Sequence, residues 1–136
     1  LPPNQRIILC VDDDPDDQML MLETIKEVDP NARVATALNG AEALQFLERS
    51  KTYPQEMPCL VIMDINMPVL NGKEAVAKMK ADKAFIAVPI VLFSTSSSSL
   101  DEDFAKQYKV PFITKSSSIK GLRETVEKLL QGIANC

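Results

Sequence analysis

Five short apolar runs alternate with five stretches of helical spacing along the chain. The first run, Ile7-Ile8-Leu9-Cys10-Val11, has no polar position. A strand without alternation is one buried on both faces, as in a parallel sheet covered by helices. Asp14 then offers a helix N-cap, Pro15 suits the first helical position, and Asp16 and Asp17 suit the positive end of the helix dipole. Met19, Leu22, Ile25 and Lys26 continue at helical spacing. Ala32 to Ala37 is a second strand candidate, and Asn39 precedes Glu42 by a capping interval, with Leu44 and Leu47 on an apolar helix face. The third run, Cys59 to Met63, ends abruptly in Asp64-Ile65-Asn66-Met67-Pro68. Asn71-Gly72 marks a turn and a helix start, followed by Val76 and Met79. The fourth run is Val88 to Phe93, and the serine run Ser96 to Ser99 follows, with Ser99 and Glu102 spaced as a capping box. The fifth run is Val110 to Thr114, and Ile119, Leu122, Val126, Leu129 and Ile133 share one face of the last helix.

This alternation predicts an α/β fold: a (βα)5, doubly wound, parallel five-stranded sheet. The flavodoxin-like order 2-1-3-4-5 is expected. The 136 residues suit one domain, expected over 1–136 with a core at about 6–132. Neither a repeat nor a linker interrupts it.

Composition narrows the function classes. The net charge of −4 offers no basic stripe for nucleic acid. No apolar run reaches membrane-spanning length, and the opening LPPNQ lacks the basic and apolar parts of a signal peptide, so a cytoplasmic protein is expected. Cys10 and Cys59 lie in apolar runs and read as small core residues, Cys136 as an exposed terminal one; their spacing fits no common zinc pattern. The chain has no histidine, which excludes a histidine base, ligand or phosphorylation site within it.

In open parallel sheets, ligands bind beyond the carboxyl ends of the strands, where the strand order reverses. Polar residues gather at those ends here: Asp12-Asp13-Asp14, Asp64, Ser94-Thr95 and Thr114-Lys115. In the expected order the first and third strands are neighbours, so Asp12, Asp13 and Asp64 converge. Two charges ~4 Å apart repel by about 4 kcal/mol at an effective dielectric of ~20. Protonation is one compensation, and a divalent cation is another. Hard oxygen ligands suit Mg²⁺, which often meets phosphate in the same site. With Lys115 and a hydroxyl added, the set resembles a phosphoryl-transfer site. Taken singly, Asp14 is a helix cap, Asp16 and Asp17 are dipole partners without a catalytic role, Ser94 is a loop hydrogen-bonder and Lys115 is a solvated charge. The reading rests on their joint placement. Neither Gly-x-x-x-x-Gly-Lys-Ser/Thr nor Gly-x-Gly-x-x-Gly occurs, against a nucleotide-binding enzyme.

From Ile7 to about Leu130 the chain resembles the response-regulator receiver domains of bacterial two-component systems. The segments carrying the resemblance are Ile8 to Pro15, Met63 to Gly72, Pro89 to Ser94 and Phe112 to Lys115. It implies that Asp64 is the phosphoacceptor, that Asp13 binds metal directly and Asp12 mainly through water, and that Asp64 and the backbone carbonyl of Asn66 complete the Mg²⁺ (or Mn²⁺) shell. Ser94 and Lys115 would contact the phosphoryl group as catalytic residues, and Ser94 and Phe112 would switch between states. The implied donor is a sensor histidine kinase or a histidine phosphotransfer protein. Output would run through a downstream protein partner or a second copy of the chain, because no output segment follows Cys136. Such a domain is no conventional enzyme: it catalyses its own phosphorylation and slow dephosphorylation. A phosphorylation-independent interaction module is the alternative.

The sequence departs from the family pattern at three positions. Ser116 stands where proline usually follows the lysine, Thr95 where alanine is common, and Phe112 where tyrosine is frequent. A trans peptide with a shifted loop is expected before Ser116, since a cis one would cost ~2.5–4 kcal/mol. The long connection Ser50 to Pro58, with Met79 to Lys83, is similar to that of small regulators that partner bacterial phytochrome kinases.

Overall fold

The computed structural model describes residues 6–95, 98–133 and 136. The opening LPPNQ, and Ser96 and Ser97 of the serine run, lie outside them. Strands β1 (Ile7–Val11), β2 (Arg33–Ala37), β3 (Leu60–Asp64), β4 (Ile90–Ser94) and β5 (Phe112–Thr114) form one parallel sheet in the order β2-β1-β3-β4-β5. Helices α1 (Pro15–Val28), α2 (Gly40–Thr52), α3 (Gly72–Lys80), α4 (Ser99–Tyr108) and α5 (Ile119–Gln131) alternate with the strands. A turn of 3-10 helix, Pro54–Glu56, occupies part of the long connection into β3. Both the expected fold class and the expected strand order are present.

The sheet has two cores because successive side chains of a strand point to opposite faces. Along β1, Ile8 and Cys10 pack with Ile25 of α1 and Val126 and Leu130 of α5. Leu9 and Val11 pack on the other face with Leu47 of α2 and Val76 and Met79 of α3. Each fully buried aliphatic side chain of this kind contributes about 1.5–3 kcal/mol.

Helix starts follow the expected caps in three cases. The Asp14 side chain accepts from the N–H of Asp16 at 2.9 Å, ahead of Pro15. Asn39 accepts from the Glu42 N–H at 2.9 Å. Asn71 and Glu74 cap each other reciprocally at 2.9 and 3.2 Å. The fourth helix differs: Ser98 holds the cap position without a side-chain capping bond, and Ser99 already lies in the helix. Ile119 also differs, being 71% exposed; the buried stripe of α5 is Val126 and Leu130, with Leu122 and Leu129 half-buried beside it. β4 and β5 each begin just after a proline, Pro89 and Pro111, rather than before it. Proline has no N–H to donate, yet its carbonyl still accepts: Val61 N–H reaches Pro89 O, and Leu92 N–H reaches Pro111 O, both at 2.9 Å.

The cysteines add a constraint that the sequence reading lacked. Cys59 is buried as expected, but it is bonded to Cys136 across 77 residues, with Cα atoms 5.6 Å apart. The bond ties the start of β3 to the chain beyond α5, at the opposite end of the sheet from the acidic strand ends. Cys10 is free and buried. Burial, with Asp12 nearby, pushes its thiol up to about 12, so it is unreactive at neutral pH.

Candidate functional site

β1 and β3 are hydrogen-bonded neighbours, with Val11 opposite Met63. The residues that follow these positions therefore meet. One carboxylate oxygen from each of Asp12, Asp13 and Asp64 lies within 4.8 Å of the others. Asp64 is the last residue of β3 and is 9% exposed, whereas Asp13 is exposed. Ser94 closes β4 next to it and is fully buried. The Lys115 N–H donates to Ser94 O at 2.7 Å, which brings the end of β5 to the same place. The Lys115 ammonium then sits 3.1 Å from Asp12 Oδ2, 3.4 Å from Asp17 Oδ2 and 3.5 Å from Asp64 Oδ2. The structure thus brings together Asp12, Asp13, Asp64, Ser94 and Lys115, from segments far apart in the chain.

Asp64 feels competing effects. Burial raises its pKa most, the Lys115 ammonium lowers it, and the negative charges of Asp12 and Asp13 raise it again; the outcome is about 6. Lys115 is also penalised by burial, but Asp64 and Asp12 outweigh that, and its pKa lies above the ordinary lysine value. Three carboxylates against one ammonium leave excess negative charge. The available donors are hard oxygens, one of them on an exposed residue. This set fits a divalent cation such as Mg²⁺ or Mn²⁺ far better than a soft, sulfur-seeking metal.

The segment after Asp64 folds back on the strand. Ile65 N–H continues the ladder to Phe93 O at 3.0 Å, and Gly72 N–H closes the loop onto Ile65 O at 2.9 Å. Asn66 lies exposed on this loop, two residues from Asp64. Val69 has φ 68°, and Leu70 N–H bonds Pro68 O across it at 2.8 Å, a γ-turn with a left-handed centre. A β-branched residue is strained there, and Val69 is 82% exposed.

At the fifth loop, no cis peptide occurs among the described residues, so Ser116 follows Lys115 in trans. The serine takes part in a local turn: its Oγ accepts from the Ser118 N–H at 3.2 Å and lies 3.3 Å from Ser118 Oγ. Gly121 makes room for it, since a Cβ there would stand 2.1 Å from Ser116 Oγ. Phe112 is half-buried against the core beneath α2, α3 and α4, and Thr95 is exposed.

Sequence reasoning missed two contributors. Asp17 has the placement of a helix-dipole partner, yet it reaches Lys115. Gln18 carries no signal of its own in the sequence, yet its Nε2 donates to Asp12 O at 2.8 Å and to Ala37 O at 2.7 Å, clamping α1 to the ends of β1 and β2. Their position just after the acidic strand end was the available signal.

Comparison with known proteins agrees with this geometry. The sequence profile of the response regulator receiver domain matches residues 8–127. Response regulator Rcp1 of Synechocystis sp. is 29% identical over 136 residues, spanning 97% of this chain and 87% of its own. The crystal structure of the phosphorylated cyanobacterial phytochrome response regulator RcpA superposes with a TM-score of 0.85 at 27% identity, over 96% of this chain and 95% of that one. The Mn²⁺-bound form of Rcp1 superposes with a TM-score of 0.80 at 26% identity, over 93% and 92% of the two chains.

Proposed function

We propose, from the premise that this chain belongs to the response regulator receiver domain family, that Asp64 is its phosphoacceptor. As a response regulator of two-component signalling, the protein takes its phosphoryl group from a histidine kinase or a histidine phosphotransfer protein. The observation that carries the assignment is the Asp64 carboxylate, nearly buried at a strand end, with the Lys115 ammonium at 3.5 Å and two further carboxylates beside it.

A carboxylate oxygen of Asp64 attacks phosphorus in line. An O–P bond forms as the P–N bond to the donor imidazole breaks, and the departing nitrogen keeps the electron pair and picks up a proton. With a pKa of about 6, Asp64 is ionised and nucleophilic at neutral pH. Lys115 pairs with a phosphoryl oxygen and the Ser94 hydroxyl bonds another. Asp12, Asp13, Asp64 and the backbone carbonyl of Asn66 would hold Mg²⁺ or Mn²⁺, which when bound neutralises charge on the phosphoryl oxygens. Ser94 and Phe112 respond to the new charge, and the surface of α4, β5 and α5 presents the change to a protein partner or a second copy of the chain. Transfer is stoichiometric, with slow self-dephosphorylation, rather than multiple turnover.

The likeness to RcpA, a cyanobacterial phytochrome response regulator, supports a phytochrome-type kinase as the donor. Residues 1–136 act as one receiver unit in this reading. No helix among the described residues is long and apolar enough to cross a membrane, and a cytoplasmic location is part of the proposal. In a reducing cytosol, Cys59 and Cys136 would stand as thiols.

The test is intact-mass spectrometry after incubation with acetyl phosphate and Mg²⁺. One acid-labile phosphoryl adduct is expected, absent from Asp64→Asn and absent with chelator. A folded protein that takes no adduct would point instead to an interaction module that works unphosphorylated.

A further inference from the structure

We propose that Asp17 is a positioning residue for Lys115, holding its ammonium at the mouth of the site where it meets the incoming phosphoryl group; this rests on Asp64 and Lys115 acting as described above.

Three carboxylates surround the Lys115 ammonium, and they are not equivalent. Asp12 and Asp64 belong to the cluster whose oxygens lie within 4.8 Å of one another and suit a cation. Asp17 does not belong to it. A cation held by that cluster draws on the charge of Asp12 and Asp64 and weakens their hold on the lysine. Asp17 keeps its full charge, at 3.4 Å from Nζ. It is the partner that still orients Lys115 when the site is ready to react. A lysine has four side-chain torsions to order, so a tether made beforehand removes part of the entropic cost of meeting the phosphoryl group.

Asp17 is itself firmly placed. The Asp14 side chain accepts from the Asp17 N–H at 3.4 Å, Pro15 sets the first helical φ, and Gln18 clamps the same turn to the carbonyls of Asp12 and Ala37. The Lys115 side chain is 20% exposed and that of Asp17 48% exposed, so water screens the pair and its effect is modest.

Phosphorylation of the full chain by acetyl phosphate with Mg²⁺ tests this, read as the rate of adduct formation. Asp17→Asn is expected to slow the reaction about two- to fivefold, the span of a half-exposed ion pair, and Asp17→Glu to restore most of it. In a Lys115→Met background, Asp17→Asn is expected to change nothing further. A rate for Asp17→Asn equal to or above wild type would overturn the proposal, because Asp17 would then merely repel the anionic donor. So would an equal slowing in the Lys115→Met background. A second measurement needs no phosphorylation: side-chain NMR of Lys115 in Mg²⁺-saturated protein. Asp17→Asn is expected to make the Lys115 ε-methylene more mobile, and unchanged order would also overturn the proposal. If wild type takes no adduct on Asp64, the phosphoacceptor reading falls, while the NMR result still decides whether Asp17 orders Lys115.

Discussion

Gly72 lies against the backbone of Asp64 so closely that a Cβ there would stand 2.3 Å from the Asp64 carbonyl oxygen. The first residue of α3 is thereby pressed onto the last residue of β3, and the loop between them has no slack. Glycine is needed here for close approach, since its φ is not in the left-handed region. Gly72→Ala must move either α3 or the Asp64 peptide. Such overpacking costs about 1–3 kcal/mol. A drop of that size in a urea melt is expected, together with a clear loss in the extent of phosphorylation, because the displaced peptide carries the proposed phosphoacceptor.

The pKa of Asp64 gives a pH-dependent prediction with a definite sign. Its folded value of about 6 lies above the ~3.9 of an aspartate in an unfolded chain. The folded state binds this proton more tightly, so Asp64 favours folding below pH ~4, and that contribution is lost as pH rises through about 6. In chelator at pH 7.5, Asp64→Asn is expected to be more stable than wild type by about 2–3 kcal/mol. At pH 4 the two melting curves should coincide. A gap independent of pH would mean that Asn acts by packing and not by removing a buried charge.

A cation should stabilise the protein by mass action. At about 100 times its Kd, a ligand bound only by the folded state contributes about 2.7 kcal/mol. A rise in Tm with Mg²⁺ or Mn²⁺, reversed by chelator and absent in Asp13→Asn, is the expected result. Asp13 is the informative position because it is the exposed member of the cluster.

Lys73, beside Gly72, pairs with Asp101 in the first turn of α4 and stands 5.8 Å from the centre of the Phe104 ring. Asp101 is 9% exposed, so Lys73→Met leaves a nearly buried carboxylate without its cation. A loss of about 1–3 kcal/mol is expected. Lys73→Met with Asp101→Leu should lose less than the two single variants together, which denaturant melts of all three would show.

The Cys59–Cys136 bond closes a separation of 77 residues. Constraint of an unfolded loop of that length is worth up to about 4.5 kcal/mol, and such bonds typically deliver about 2–4 kcal/mol. Reductant, or Cys136→Ser, is expected to lower stability by that amount. Thiol titration in denaturant should find one free cysteine, Cys10, before reduction and all three of the chain's cysteines after it. The oxidised and reduced forms should phosphorylate alike, because the bond lies at the end of the sheet away from Asp64.

Much of the fold could be read along the chain because its signals are local. The unbroken apolar runs of β1 and β3 mark strands covered on both faces. Asp14-Pro15, Asn39 and Asn71 mark helix starts through bonds to residues two or three positions ahead. Strand alternation with helices restricts the winding, and the winding then predicts that Asp12, Asp13 and Asp64 meet. The composition excludes histidine chemistry outright. Other features depended on distances that no local pattern encodes. Asp17 reads as a dipole partner until β5 delivers Lys115, 98 positions later, to within 3.4 Å of it. Cys59 reads as a core residue until the chain beyond α5 returns to it. Ile119 has the period of a buried position but lies beyond the edge of the surface that α5 covers, and Ser99 has the spacing of a cap but sits inside its helix. The sequence by itself determined the elements, their parallel order and the acidic strand ends, because these follow from periodicity and chirality. Only the tertiary structure decided which carboxylate holds the lysine, which glycine presses on Asp64 and which cysteines pair, because these are contacts between crossovers, set by how far each helix carries the chain.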